Sequence, residues 1–224
     1  MTARAGRRRG GPVGWTLAML LLLALTLAYA PQVLAFPFSQ RIGDVTVYAE
    51  RPIDTRIVDE LARAEMLLRS SPIYSGPVRR SLFLTNGGWR WRVLALQSPH
   101  AFAFRRPFGS AIVVNRSDIA ADRVTTDRDI GNTRTLSGVI AHETTHIMIA
   151  DHLGELRAAL LPTWVAEGYA DHVAAESSLT DAEAGRLRRT DPHAPALAYH
   201  DARHRVATVL ANNGGSVDAV FAQR

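Results

Sequence analysis

The spacing of apolar and polar residues divides the chain into a β-rich first part and a helical second part. Ile42 to Glu50 (IGDVTVYAE) alternates apolar and polar side chains, which predicts a strand. From Asp54 to Arg69, the residues Ile57, Leu61, Ala64, Leu67 and Leu68 recur at helical spacing, and Ser70-Ser71-Pro72 ends the run. Arg79 to Leu96 (RRSLFLTNGGWRWRVLAL) places two β-rich runs around Asn86-Gly87-Gly88 and reads as a hairpin. Ala101 to Asn115 reads as a short strand, a turn at Pro107 to Gly109, and a second strand. Asp122 to Thr135 is polar and loop-like. Helical patterns then run from about Leu136 to His152, Pro162 to Glu176 and Leu197 to Asn212, with Asn213-Gly214-Gly215 as a stop. Strands first and helices later predict an α+β fold rather than alternating βαβ units. The expected organisation is one domain over residues 36–224, β-rich to 135 and helical from 136.

The N-terminus carries a topological signal. Arg4, Arg7, Arg8 and Arg9 precede an apolar run from Val13 to Ala30. Residues 1–35 therefore read as a signal peptide, cut after Ala35, or as an uncleaved membrane anchor at the short end of a span. Either reading sends the domain out of the cytoplasm, as a secreted or periplasmic protein or as one anchored in the membrane and facing outward.

Composition narrows the function classes. The chain has no Cys, which excludes disulfides and thiolate metal sites. All 26 basic residues are Arg, and the net charge is +5. Setting the four leader arginines aside leaves +1. No surplus remains for a basic patch, so nucleic acid is not an expected partner.

The chemistry sits in Ser137 to Gly154 (SGVIAHETTHIMIADHLG). HETTH puts His142 and His146 at i and i+4, on one face of a helix, where both imidazoles reach one ion. Glu143 points to the side of that pair. There it can hold a water and shuttle its proton to a leaving amine without being a ligand. A zinc ion with three protein ligands activates such a water. Chance predicts roughly 0.01 matches to the three fixed positions at this composition. Val139, Ile140, Ile147, Met148 and Ile149 surround the motif, so its polar residues need partners.

Two residues compete to be the third ligand. His152 follows His146 by six, as in the pattern H-E-x-x-H-x-x-G-x-x-H. That pattern needs Gly where this chain has Ile149, and a Met beyond it where this chain has none after His152. A continuing helix turns His152 about 120° away from His146, out of reach. The alternative is Glu167 in Leu161 to Val173 (LPTWVAEGYADHV). Glu167 and Asp171 share a helix face at i and i+4. A carboxylate facing the two histidines completes an open His₂Glu site. Asp171 would accept a hydrogen bond from the outer nitrogen of a ligating histidine, with His142 the expected partner.

HETTH followed by WVAEGYAD resembles the gluzincin branch of the zincin metallopeptidases, closest to small bacterial peptidase-MA-like proteins. The likeness covers about Ser110 to Phe221. It implies a small zincin-like domain, zinc as cofactor, and a peptide or protein as substrate. It implies zinc ligands His142, His146 and Glu167, with Asp171 behind them. It also implies a mixed sheet whose edge strand, expected at Ser110 to Asn115 (SAIVVN), binds an extended peptide. Such enzymes supply a Tyr or His to the developing oxyanion. Tyr199 matches the family's aromatic position best, with His200, His193 and His204 as alternatives. Trp164 and Tyr169 read as packing residues. The expectation is a zinc metallopeptidase with Glu143 and Tyr199 as catalytic groups. The rival is a catalytically inactive domain of the same fold with a structural or partner-binding role.

Overall fold

The strands richest in buried residues lie at the centre of the main sheet. The computed structural model describes residues 12–223, and the leader arginines Arg4, Arg7, Arg8 and Arg9 lie outside them. Strands β1 (Phe38–Ile42) and β2 (Val45–Ala49) pair antiparallel through a tight turn at Gly43, whose φ is 55°. Strand β3 (Arg80–Leu84) runs parallel to β2, and β5 (Ala111–Val114) runs parallel to β3. Strand β4 (Ala103–Arg105) folds back antiparallel onto β5. The sheet order is β1-β2-β3-β5-β4. A second, antiparallel sheet holds β6 (Arg116–Asp118), β7 (Arg123–Thr125) and β8 (Thr133–Arg134).

The helices are α1 (Pro12–Tyr29), α2 (Ile57–Arg69), α3 (Trp89–Leu94), α4 (Leu136–Leu153), α5 (Glu155–Ala159), α6 (Thr163–Val173), α7 (Asp181–Thr190), α8 (Pro195–Asn212) and α9 (Val217–Phe221). The fold is α+β, as the segregation of patterns predicts. Alternation in β2 sends Val45, Val47 and Ala49 toward α2 and α4, where Ile57, Leu61, Ala64 and Leu68 of α2 meet them in one core. The opposite face carries Phe83 and Val113, covered by Trp91 and Leu94 of α3.

Three expectations change. Arg79 to Leu96 is not a hairpin: Gly88 caps α3, so the chain passes from strand to helix. The alternating Trp89-Arg90-Trp91-Arg92 pattern suggests a strand. It is the i, i+3 pair Trp91 and Leu94 that is buried, and β3 already has neighbours on both sides. The polar segment Asp122 to Thr135 contains β7 and β8, two strands so short that only Val124 and Arg134 in them are buried. The membrane anchor is overturned. Among the described residues no helix is long and apolar enough to cross a membrane. The 18 residues of α1 rise only about 27 Å against a hydrocarbon core of about 30 Å.

Helix α4 is enclosed on nearly every side, with 14 of its 18 residues buried between the sheet, α2 and α6. Behind α6 lies α8, and the two approach closely at Gly168. A Cβ there would stand 2.5 Å from the Ala202 carbonyl oxygen. Gly168→Ala should therefore push α8 off α6 and destabilise the fold by about 1–3 kcal/mol. Thermal denaturation should show Tm lowered by roughly 3–10 °C. An unchanged Tm would show that this helix contact is not tight.

Candidate metal centre

Two helices build the site, α4 from within the core and α6 beside it. Thr135 caps α4 by accepting from the Gly138 N–H at 3.0 Å. From that fixed start, His142, Glu143 and His146 fall in the middle of α4, where Thr144 and Thr145 bond back to the Ile140 and Ala141 carbonyls. Pro162 precedes α6, which carries Glu167 and Asp171 one turn apart.

The side chains converge. His142 Nε2 lies 3.2 Å from His146 Nε2 and 3.4 Å from Glu167 Oε2. His146 Nε2 lies 3.6 Å from Glu167 Oε1. Zinc–ligand bonds of about 2.0–2.2 Å at tetrahedral angles put neighbouring ligand atoms about 3.3–3.6 Å apart. All three observed separations fall close to that edge length, so these residues fit a small dication with one position left open. Metal binding by a His/Glu group is the chemistry this donor set offers.

The other ring nitrogen of His142 is held from behind. Nδ1 lies 2.7 Å from Asp171 Oδ1, which in turn accepts from the Arg134 guanidinium at 2.9 Å. Arg134 also pairs with Glu176 at 3.0 Å, and Glu176 accepts from the Thr135 hydroxyl at 2.9 Å. One ionic chain thus joins the outer face of the candidate ligand His142 to the cap of its own helix. Gly138 lies against it: a Cβ there would stand 2.3 Å from a Glu176 carboxylate oxygen and 2.5 Å from the Thr135 hydroxyl, so these side chains would have to shift.

Burial and charge set the protonation of the site. Burial pushes Glu143 up to about 7. Burial opposes the charge of Asp171, but Arg134 and His142 overcome it and hold the carboxyl at about 2. Glu167 behaves likewise, held at about 2 chiefly by a hydrogen bond from His142. Burial opposes protonation of both histidines. At His142 the Asp171 carboxylate reverses this and raises it to about 10, whereas His146 falls to about 4.

These groups open into a cleft of about 440 Å³ lined by His142, Glu143, His146, Glu167 and Tyr199, with Phe102 to Arg105 along one wall. That wall is β4. The resemblance predicts Ser110 to Asn115 as the edge, but β5 lies between β3 and β4, because the turn at Pro107 to Gly109 folds β4 over it. Arg106 N–H bonds the Ala111 carbonyl and Asn115 N–H bonds the Phe102 carbonyl. Alternation along the ladder therefore points the backbone groups of Ala103 and Arg105 away from β5. The Arg105 backbone N–H faces Glu143 and favours its charged form, a smaller effect than burial. The Arg105 side chain bonds the Gly109 and His146 carbonyls and pairs with Glu155, tying β4 to α4 and α5.

Of the four residues considered for the oxyanion, only Tyr199 lines this cleft. Burial raises its pKa, and Glu167 raises it further. His200 and His204 face Asp181 instead, and His193 is exposed. His152 is paired with Asp218 at 2.7 Å, away from the centre. Tyr169 is core, with its hydroxyl 2.7 Å from Ser71 Oγ, and Trp164 lies beneath the Arg205 guanidinium. Arg134, Glu176 and Arg105 escape sequence reasoning. Their partners are distant in the chain, and an isolated Arg or Glu carries no motif.

No protein-family model matches the chain, and no curated protein matches it.

The Asp171 contact gives a direct prediction. Asp171→Asn weakens the acceptor that orients His142, so any affinity of this group for a divalent metal should fall about 10–100-fold. Competition against a chromogenic chelator measures this, and an affinity equal to that of the unmodified protein would remove Asp171 from the metal centre.

Proposed function

We propose that the chain is a zinc-dependent peptide hydrolase of gluzincin type. The observation that carries this reading is the convergence of His142, His146 and Glu167 at tetrahedral edge distances, with Glu143 in the same cleft but outside the donor set. A purely structural zinc site has no use for that extra carboxylate.

When bound, zinc supplies Lewis-acid polarisation of a carbonyl and a water. The protein's own groups do the rest. The Ala103 backbone groups and the Arg105 carbonyl, which point away from β5, offer an extended peptide a strand to pair with along the cleft wall. Glu143, with a pKa near 7, is matched to accept a proton from water as the water oxygen bonds to the peptide carbonyl carbon. As the C–N bond breaks, the same carboxyl returns that proton to the amine nitrogen. Tyr199, on the cleft wall, is the hydroxyl donor for the carbonyl oxygen as it gains negative charge. Asp171 keeps a proton on His142 Nδ1 and leaves Nε2 as the ligand. The leader reading, with a cut after Ala35, extends the proposal to a site of action outside the cytoplasm.

Glu143→Gln should lower kcat on a peptide substrate by about 10²–10⁴-fold while zinc content is retained. Peptidase activity that survives in a zinc-loaded Glu143→Gln variant would eliminate the general-base role. Glu167→Ala should lose zinc along with activity, and full zinc retention would remove Glu167 from the ligand set.

A further inference from the structure

A second group of metal-capable side chains lies outside the cleft. His200 and His204 sit at i and i+4 on α8, with ring centroids 4.5 Å apart. Both present Nε2 to one oxygen of Asp181, the first residue of α7. His200 Nε2 lies 2.9 Å from Asp181 Oδ1, and His204 Nε2 lies 3.1 Å from it. All three donor atoms lie within 4.8 Å of one another.

We propose that Asp181, His200 and His204 form a second divalent-metal site, which staples α7 to α8. The donor set is two imidazoles and one carboxylate, which selects borderline d-block dications such as Zn²⁺, Co²⁺ or Ni²⁺ over Mg²⁺ or Ca²⁺. The hydrogen-bond inventory of His200 points the same way. This buried ring faces a carboxylate on each nitrogen, with Asp201 Oδ1 3.2 Å from Nδ1. A neutral imidazole has one N–H. With that hydrogen directed at Asp201, Nε2 and the Asp181 oxygen turn lone pairs toward each other, and a cation between them satisfies both. Asp201 then orients His200 much as Asp171 orients His142. Asp201 is itself held by Arg188 of α7.

The location gives such a site something to do. Four buried residues, Leu179, Ala184, Leu187 and Leu197, form the satellite core where α7 packs on α8. The rest of α7 is largely charged, with Asp181, Glu183, Arg186, Arg188 and Arg189. A cross-link at the first turn of α7 fixes this element where its apolar contact is small. It also fixes the turn of α8 that carries Tyr199 into the cleft.

The proposal does not rest on the hydrolase reading, and one experiment separates them. Equilibrium dialysis of the full chain with Zn²⁺ alone should give two equivalents for the unmodified protein. It should give one for His204→Ala, one for Asp181→Ala, one for the His146→Ala/Glu167→Ala double variant, and none when His204→Ala is added to that double variant. In the double variant, Zn²⁺ at about 100 times Kd should raise Tm by roughly 5–10 °C, a shift that His204→Ala abolishes. His204 and Asp181 are exposed, so their substitution leaves the fold intact. Zinc content in His204→Ala and Asp181→Ala equal to that of the unmodified protein would overturn the second site. So would a double variant that neither binds zinc nor gains stability from it.

Discussion

The carboxylate of Asp171 is the element on which the rest of the site depends. It is 2 % exposed and sits between the Arg134 guanidinium and the His142 ring. An ion taken this far from water costs several kcal/mol unless partners compensate it. Here the compensation is shared. Arg134 serves both Asp171 and Glu176, and Glu176 reaches the cap residue Thr135 at the start of α4. Strand β8, the beginning of α4, and α6 are therefore fastened by one charged chain. That chain ends on the nitrogen opposite the one His142 presents to the cleft. Orientation of the candidate ligand and anchorage of its helix are the same interaction.

Two glycines allow the close approaches around the site. At Gly138 a side chain would collide with the Glu176 carboxylate, and at Gly168 with the backbone of α8. Glycine is normally disfavoured in helix interiors. Both positions accept that cost because closer approach brings an ion pair or a neighbouring helix into contact. Gly168 directly follows Glu167, so the close packing of α6 on α8 sets the depth of that carboxylate in the cleft.

Legibility in the sequence followed the range of the interaction. His142, Glu143 and His146 are readable because one helix places them together and only local spacing is needed. Glu167 and Asp171 are readable for the same reason, once a second helix is assumed to face the first. The exclusion of His152 also needed only helical angles, and its partner proves to be Asp218. Arg134 and Glu176 are invisible, since they are 42 residues apart and neither belongs to a motif with a chemical signature. The edge strand was assigned one strand too late, because strand order in a sheet is a long-range property. Helix α3 was misread because Trp-Arg alternation satisfies a period of two while its burial follows a spacing of three. The apolar leader was legible as a helix but not as an anchor, since its length falls short of a span.

The charge balance of the centre argues for the kind of ligand it accepts. Three carboxylates, Glu143, Glu167 and Asp171, lie on or beside two imidazoles, and Arg134 is the cation fixed against them. Arg105 stands nearby but spends its side chain on Glu155 and backbone carbonyls. The two Nε2 atoms are 3.2 Å apart, which leaves room for one hydrogen between them and not two. A proton therefore adds at most one positive charge at this point, as the opposed shifts of His142 and His146 reflect. A dication in the same place adds two, and bonds both nitrogens and Glu167 at once. The excess of negative charge and the imidazole geometry thus favour a divalent ion over protons. Glu143, left without a strong cationic partner of its own, keeps its pKa raised by burial, which suits the proton transfer proposed for it.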